Sequence, residues 1–353
     1  MNTTIKCALL IGLMIGNVWA APVGPAIDRP ALHSKLAAQS VLQAVAKVGD
    51  ALVAVGERGI IVRSEDKGGS WSQVHVPVSV GLTALQFVDN LHGWAVGHGG
   101  VVLSSEDGGK HWLKRLDGVQ VAQLMQQEAL KSGTQTDQRN AERFLAEGAD
   151  KPLLALHFFD ERRGVVVGAY NMALMTDDGG ENWRSISLEL NNPQGLHLNT
   201  VSARGDQLLI AGEQGIIVLS TDHGQTFRKL TSPYKGSFFT SELSAEDEIV
   251  VAGLRGNVWR SADGGSSWSQ LSSPDPISFT GSALDARGQI WLVNQTGSVF
   301  NVQGHELVPR LTGQVPLNGI ILIDGGHALG VGVTGVVPLS FGDSPIASGG
   351  EAQ

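Results

Sequence analysis

A short unit that recurs seven times along the chain constrains the fold most strongly. Each copy is a run of small apolar residues that ends in a Gly-x-x-Gly-like turn, and the first turn residues are Gly56, Gly97, Gly168, Gly212, Gly253, Asn294 and Gly332. Successive copies are 41, 71, 44, 41, 41 and 38 residues apart. A period near 41 residues is typical of propeller blades, because each blade is one supersecondary unit that buries its faces only against its neighbours.

Each copy contains enough alternating apolar segments for four short strands. In the second copy these segments are Leu82–Phe87, Gly93–Val96, Val101–Ser104 and His111–Arg115. The chain has 46 glycines and only 17% charged residues, which suits short strands joined by tight turns. The sequence therefore predicts an all-β fold, a seven-bladed β-propeller of four-stranded antiparallel blades that forms one domain over residues 21–344.

The two ends of the repeat region suggest how the ring closes. The seventh copy has strands near Leu317–Ile323, Ala328–Val331 and Val336–Phe341, with no fourth strand before a flexible tail at 345–353. Because an unpaired outer edge is a liability, we expect Val23–Leu32 to supply the missing outer strand of the last blade. The alternative is a disordered N-terminal segment.

The spacing of 71 residues contains an insertion at about 118–150. Its apolar residues recur at helical spacing over Val119–Lys131 and over Gln138–Glu147, where Thr136 or Asp137 can cap the second helix. The sequence predicts an α-helical hairpin between the second and third blades. Its apolar stripe either folds onto the ring or meets a partner as a helix in a groove.

Residues 1–20 have the pattern of a signal peptide. Lys6 precedes the apolar run Ala8–Val18, and small residues stand at the expected positions before a cut at Ala21. The run is short for a membrane anchor, which is the alternative. The only cysteine, Cys7, would leave with the peptide, so we expect an exported protein, periplasmic or secreted, without disulfides.

Five copies carry a second motif, Ser/Thr-x-Asp-x-Gly-x-x-aromatic. Its aspartate and aromatic pairs are Asp66 and Trp71, Asp107 and Trp112, Asp178 and Trp183, Asp222 and Phe227, and Asp263 and Trp268. An aspartate in a tight turn accepts bonds from backbone amides, and glycine supplies the positive φ. A catalytic residue is used once, and the alternating ligands of a calcium loop are missing. The five motifs are therefore predicted to be structural turns.

This motif is the Asp-box, or bacterial neuraminidase repeat. Together with the Gly-x-x-Gly turn at this period, it resembles the photosystem II stability/assembly factor family over about residues 40–341. The resemblance implies a seven-bladed propeller that binds a reaction-centre subunit during assembly and is not an enzyme. The helical insertion and the copy at Asn294, which lacks an Asp-box, depart from the family pattern.

The turns between the second and third strands differ in sequence inside a constant frame. Such divergence is typical of a binding surface built on repeats, although neutral drift of exposed positions gives the same pattern. The candidate partner-binding residues are Glu57, Arg58, His98, Tyr170, Asn171, Glu213, Gln214, Arg255 and Gln295.

Other functions find less support in the sequence. A net charge of −9 argues against nucleic-acid binding. The histidines are scattered, so neither a metal site nor a cofactor is predicted. The alternative function is a glycan-acting or glycan-binding Asp-box propeller, but the chain has only two tyrosines and no recognisable arginine triad. We therefore expect a non-enzymatic interaction factor for a membrane or envelope complex, monomeric outside it, with no tightly bound small molecule.

Overall fold

The computed structural model describes residues 24–244, 248–313, 315–324 and 326–341. Within these residues the strands form seven antiparallel sheets in which sequence neighbours pair. The first blade comprises β1 (Leu42–Val48), β2 (Ala51–Gly56), β3 (Ile61–Ser64) and β4 (Ser72–Gln73). The second comprises β5 (Leu82–Phe87), β6 (Gly93–Gly97), β7 (Val102–Ser105) and β8 (Leu113–Leu116). The third comprises β9 (Leu153–Phe158), β10 (Gly164–Gly168), β11 (Ala173–Thr176) and β12 (Arg184–Ser185).

The remaining blades repeat this plan. The fourth comprises β13 (Leu198–Arg204), β14 (Gln207–Gly212), β15 (Ile217–Ser220) and β16 (Arg228–Lys229). The fifth comprises β17 (Phe238–Leu243), β18 (Ile249–Gly253), β19 (Val258–Ser261) and β20 (Ser269–Leu271). The sixth comprises β21 (Phe279–Leu284), β22 (Ile290–Asn294), β23 (Val299–Gln303) and β24 (Glu306–Leu311). The seventh comprises β25 (Leu317–Asp324), β26 (His327–Gly332) and β27 (Gly335–Ser340).

The blades stand around a central axis. The first strand of every blade contacts the first strand of the next, and β25 contacts β1, so these strands line the centre of a closed ring. The buried apolar residues form clusters that coincide with the seven blade interfaces. The predicted seven-bladed propeller is confirmed, and its core lies between the blades because a single sheet has no other apolar partner.

The seventh blade closes on the first by side-chain packing. Val331 and Val336 pack against Leu42 and Ala54 across this interface. The Asn318 side-chain amide also donates a hydrogen bond to the Leu42 carbonyl oxygen (2.9 Å). Within the described residues blade seven has three strands, and its contact with blade one rests on this burial and this hydrogen bond.

The predicted role of Val23–Leu32 as the outer strand of blade seven is wrong for the part that the structure describes. Residues 24–32 run along blade one instead, where the Ala31 N–H donates to the Val76 carbonyl oxygen (3.0 Å) and the Ser79 N–H donates to the Ala26 carbonyl oxygen (2.8 Å). These bonds satisfy backbone polar groups of the residues that follow β4, which itself has only two residues. The predicted signal peptide at 1–20, Val23 and the tail at 345–353 lie outside the described residues.

The outermost strand that the structure describes in blade seven, β27, carries a proline. A two-residue turn closes on the Gly332–Gly335 pair, and Pro338 pairs in register with Leu329. In an antiparallel ladder, alternate residues turn their N–H and C=O groups outward, which puts Pro338 at an outward position. Because proline has no N–H, the edge offers one donor fewer to another strand.

The insertion folds as two helices, α1 (Gly118–Ser132) and α2 (Gln135–Glu147). The predicted cap of the second helix is wrong: the cap is Thr134, whose hydroxyl accepts from the Asp137 N–H. The Asp137 carboxylate accepts from the Thr134 N–H (2.7 Å), which completes a capping box and starts the helix three residues earlier than expected.

The apolar stripe of the hairpin is covered by the ring. Val121, Ala122 and Phe144 are buried in the cluster between blades two and three, together with Leu116 and Met172. Of the two alternatives left by the sequence, the stripe therefore folds onto the ring. The hairpin is a fixed part of the propeller because burial of these side chains stabilises it there.

Candidate functional site

The turns between second and third strands and the connections between blades lie at the same end of the ring, which we call the turn face. In five blades the last glycine of the turn packs against the backbone of a connection. The approach is so close that a Cβ on this glycine would lie only 1.9–2.4 Å from a carbonyl oxygen of the connection. The glycine and carbonyl pairs are Gly59 and Val78, Gly215 and Tyr234, Gly256 and Asp275, Gly297 and Val315, and Gly335 and Ala38. Residues 37–39 thus serve as the connection into blade one.

The glycine that opens each turn is also required by close approach. In six blades an added Cβ would lie 2.0–2.3 Å from a backbone carbonyl oxygen just before or at the start of the innermost strand. Asn294 occupies this place in blade six, where its side-chain oxygen accepts from the N–H groups of Thr296 (3.1 Å) and Ser298 (2.9 Å). The recurring glycines of the sequence therefore reflect backbone packing.

In five of the seven turns the central residue is held in the left-handed region, and in four of these it is not glycine. The φ angles are 55° at Arg58, 54° at Tyr170, 51° at Gln214 and 56° at Arg255, whereas blade two has Gly99 at this position. A left-handed conformation costs a non-glycine residue roughly 1–2 kcal/mol. Four blades bear this cost and project a side chain from the turn face.

The nine candidate residues divide into two groups. Six are exposed, one in each of the first six blades, and within the described residues their side chains form no hydrogen bond or ion pair: Arg58, His98, Tyr170, Gln214, Arg255 and Gln295. Tyr170 is 52% exposed and meets the ring of His197 edge-on at 4.7 Å. These six side chains are available for contacts with another molecule.

The other three candidates hold the turn face together. Glu57 accepts a hydrogen bond from the Val41 N–H (3.4 Å), and Glu213 accepts one from the His197 N–H (2.9 Å). The Asn171 amide donates to the Ser187 carbonyl oxygen (2.8 Å). The sequence could not separate these residues from the exposed six, because both groups occupy neighbouring positions of the same turn.

The Asp-box turns join the third and fourth strands at the opposite end of the ring. In blade two, Asp107 accepts from the N–H of Lys110 (3.0 Å) and of His111 (2.9 Å), and the Ser105 hydroxyl accepts from the Gly109 N–H (2.9 Å). In blade one, the N–H and hydroxyl of Ser70, with the hydroxyl of Ser64, lower the pKa of Asp66 to about 2. Each Asp-box aspartate accepts such bonds from its own turn.

The aromatic residues of the Asp-boxes differ in how they bond. The indole N–H groups of Trp71, Trp112 and Trp183 donate to glycine carbonyl oxygens of their own turns at 2.9–3.1 Å. Phe227 has no N–H, and the buried Trp268 N–H has no partner among the described residues. All five rings pack against the clusters between blades.

A row of polar side chains joins the blades at the centre of the ring, and sequence reasoning missed it. In four blades, the second residue of the innermost strand donates to the carbonyl oxygen of the first residue of the next innermost strand. The pairs are Thr83 and Leu153 (2.7 Å), Asn199 and Phe238 (2.8 Å), Thr280 and Leu317 (2.6 Å), and Asn318 and Leu42 (2.9 Å). A polar residue directly after the first apolar residue of the strand was the available signal.

The second residues of the innermost strands also surround the mouth of the central channel on the turn face. They are Gln43, Thr83, Leu154, Asn199, Phe239, Thr280 and Asn318. No arginine, tyrosine or carboxylate stands at these seven positions, whereas a glycosidase of the sialidase type needs such groups together. The mouth is mixed polar and apolar.

One carboxylate lies between the innermost strands of blades five and six, farther from the turn face. The Ser282 hydroxyl donates to the Glu242 carboxylate (2.7 Å), and Ser282 also shares a hydrogen bond with Thr240 (2.5 Å). Burial raises the pKa of Glu242 to about 7. Nothing in the repeat pattern distinguished this glutamate, because the position is occupied by other residue types in the remaining blades.

A cleft of about 570 Å³ separates the helical hairpin from the connection at 187–195, and we call it the hairpin cleft. Its floor includes Tyr170 and Asn171, which places it on the turn face beside blade three. Glu128 of α1 accepts from the Ser185 hydroxyl at the end of β12 (2.5 Å) and from the Leu188 N–H (3.1 Å), which fixes the hairpin to that connection. The sequence predicted the hairpin but contained no sign of the cleft.

Two further properties concern the described part of the chain. No group of three or more histidine, cysteine, aspartate or glutamate side chains there is placed to hold a metal ion. None of the helices in that part is long and apolar enough to cross a membrane.

Comparison with known proteins reveals relatives in one family. The family model described as photosynthesis system II assembly factor YCF48 matches residues 64–146 and 134–268, together more than half of the chain. The photosystem II assembly lipoprotein Ycf48 of Synechococcus sp. (strain CC9902) is 36% identical over 77 residues, 22% of this chain and 23% of that protein. The alignment thus spans about a quarter of the curated relative.

Solved structures with the same fold include two members of that family. The structure described as YCF48 bound to D1 peptide superposes with a TM-score of 0.63 at 15% identity, covering 89% of this chain and all of that one. YCF48 from Cyanidioschyzon merolae gives 0.61 at 15% identity, covering 86% and 96%. The similarity at this identity concerns the fold, while the family-model match extends to the sequence. The chain belongs to the photosynthesis system II assembly factor YCF48 family.

Proposed function

We propose that this protein is a non-enzymatic assembly or interaction factor that binds a protein subunit of a membrane or envelope complex through its turn face. The observation that carries the proposal is the set of six exposed side chains, one in each of the first six blades, that form no hydrogen bond or ion pair within the described residues. Four of the turns that carry them also bear the cost of a left-handed non-glycine residue.

Exposed apolar side chains support the same face. Six of the large apolar residues that are exposed lie in its turns, beside the connection into blade one, at the start of an innermost strand or in the hairpin: Leu36, Val119, Leu130, Tyr170, Phe239 and Val333. Apolar side chains among polar ones are typical of protein-binding surfaces. A solved relative carries a D1 peptide, which supports a polypeptide as the partner.

Export is part of the proposal. It is supported by Lys6, the apolar run at 8–18 and the small residues before Ala21, and by the description of the cyanobacterial relative as a lipoprotein. N-terminal sequencing of the protein purified from its host is expected to begin at Ala21. A chain that retains residues 1–20 would contradict cleavage.

The test of binding uses surface variants that leave the fold intact. The turn-face variant combines Arg58→Ala, His98→Ala, Gln214→Ala and Arg255→Ala. Loss of several interface side chains, each contributing about 1 kcal/mol, is expected to reduce recovery of the partner from solubilised envelopes by more than about tenfold, measured by quantitative mass spectrometry.

The control variant changes the opposite face and combines Lys110→Ala with Gln225→Ala, both exposed in Asp-box turns. Circular dichroism and thermal unfolding verify that both variants fold. If the control variant loses the partner and the turn-face variant retains it, the proposed function of the turn face is wrong.

A further inference from the structure

The hairpin cleft has walls that are fixed before any ligand arrives. On one side, the carboxylate of Glu128 accepts from the Ser185 hydroxyl (2.5 Å) and the Leu188 N–H (3.1 Å). On the other, the Asn192 amide donates to Asn171 (2.9 Å) and to the Leu196 carbonyl oxygen (2.9 Å). A ligand would therefore find the cleft already ordered, without the cost of ordering its loops.

The ionic groups of the cleft are largely neutralised within the chain. Lys151 is buried, lies 2.9 Å from the Glu147 carboxylate and 2.5 Å from that of Asp150, and sits over the ring of Phe144. The exposed Arg143 lies 3.8 Å from the Glu147 carboxylate. The two other carboxylates of the lining, Glu128 and Asp137, accept hydrogen bonds from their own surroundings. The lining therefore has no surplus of positive charge to hold a phosphate or another anion.

The groups that remain open are amides and flat apolar surfaces. Asn140, Asn191 and Gln194 are exposed along the cleft, together with the Tyr170 ring and Pro193. Each amide side chain offers a donor and an acceptor, which complement the N–H and C=O groups of an extended backbone. Tyrosine and proline add apolar contact area with little loss of side-chain freedom.

The backbone around the cleft is held in an uncommon conformation. Tyr170, Asn171 and Asn191 have φ angles of 54°, 63° and 48°, so three of the non-glycine residues with positive φ line this one cleft. The contacts at Asn171 and Asn192 described above hold these residues in place. Strained residues that the surroundings hold in place are concentrated at binding sites.

The cleft continues toward the centre of the turn face. Tyr170 at its floor meets the His197 ring at 4.7 Å, and His197 lies 3.7 Å from the carboxylate of Glu213 in the turn of blade four. The exposed Gln214 is the next residue of that turn. A ligand that contacts both the cleft and Gln214 must therefore be elongated and must extend beyond the cleft.

From this geometry we infer that the hairpin cleft binds an extended, largely uncharged polypeptide segment of the partner, which passes over Tyr170 and His197 toward Gln214. The inference rests on the proposed function, since it assumes a protein partner, and it adds the hairpin as a wall of the site. In this proposal the hairpin contacts the partner through the residues that line the cleft, while its apolar stripe is buried in the ring.

Photo-crosslinking in the host tests the path of the segment. The probe is p-benzoylphenylalanine in the full-length protein, in place of Asn140 or Gln194 in the cleft, Gln214 on the turn face, or Gln225 on the Asp-box face as the control. After irradiation, mass spectrometry identifies the labelled residues. We expect the probes at positions 140, 194 and 214 to label the same partner polypeptide, and those at 140 and 194 to label one continuous stretch of it. The probe at position 225 should label no partner. Tyr170→Ala should weaken labelling from position 194 about tenfold.

The other outcomes separate the two proposals. If position 214 labels a protein but positions 140 and 194 do not, or label scattered sites, the cleft inference is overturned and the proposed function stands. If the cleft positions label a glycan in place of a polypeptide, the inference is also overturned. If position 214 labels no protein either, the proposed function fails together with the inference.

Discussion

The carboxylate of Glu242 provides a sharp test of the electrostatics between the innermost strands of blades five and six. It accepts a hydrogen bond from Ser282 (2.7 Å) on the neighbouring blade, and burial raises its pKa to about 7. Glu242→Gln keeps an oxygen acceptor for Ser282 and nearly the same volume, but it removes the charge. The variant is therefore expected to be more stable than the wild type at pH 8.

The magnitude follows from the difference in pKa between folded and unfolded protein. The ordinary value is 4.5, so between about pH 4.5 and pH 7 the folded protein retains a proton that the unfolded chain releases. Stability therefore falls as pH rises through this window, and the penalty is complete above pH 7. A shift of about 2.5 pH units corresponds to roughly 3 kcal/mol, and because the Glu242 side chain is only half-buried we reduce this to about 2 kcal/mol.

Urea unfolding followed by tryptophan fluorescence at pH 5 and pH 8 measures this effect. From pH 5 to pH 8, the free energy of unfolding of the wild type should fall by about 2 kcal/mol more than that of Glu242→Gln. All other groups titrate equally in the two proteins, so the difference reports on Glu242. The pKa values of the Asp-box residues Asp66, Asp222 and Asp263, about 2, place their effect below this window. Glu142→Gln, an exposed change of the same charge, should behave as the wild type. Equal pH dependence of wild type and Glu242→Gln would refute the reasoning.

Two further predictions concern backbone packing and the Asp-box. Gly335→Ala puts a Cβ 1.9 Å from the Ala38 carbonyl oxygen, where blade seven meets blade one. Gly304 also has a positive φ, but a Cβ there meets no atom, so Gly335→Ala should lower the free energy of unfolding by at least about 2 kcal/mol more than Gly304→Ala. Equal urea midpoints of the two variants would contradict this. Ser105→Ala leaves the buried N–H of Gly109 without its acceptor and should cost about 1–2 kcal/mol, whereas the exposed Ser70→Ala should cost less. Thermal unfolding compares these two serine variants, and equal losses would count against a structural role for the buried hydroxyl.

The architecture could be predicted because it follows from local chemistry that repeats. The Gly-x-x-Gly turns recur since each opening glycine approaches a backbone carbonyl oxygen too closely for a Cβ. The Asp-boxes recur because each closes a turn with its own hydroxyl, carboxylate and aromatic ring. These requirements are met within about 20 residues of sequence, so spacing and residue type were sufficient for seven blades and an inserted hairpin.

The candidate site was predicted only in outline. Glu57, Asn171 and Glu213 occupy the same turns as the exposed candidates, yet their side chains bond to the connections between blades, and whether a turn residue points there or to solvent depends on how both segments fold. The hairpin cleft requires α1, α2 and the connection at 187–195 to meet, and no single segment shows that. Residue type and turn position therefore identified the face but not the roles of its members.

The sequence by itself determined the period, the number of blades and the position of the helical insertion, because these depend on contacts between residues close along the chain. Only the tertiary structure decided the route of residues 24–32, the closure of blade seven on blade one and the burial of Glu242. Those outcomes depend on which distant surfaces meet: residues 24–32 bond to the backbone that follows β4, and the packing of blade five against blade six buries the Glu242 carboxylate beside Ser282.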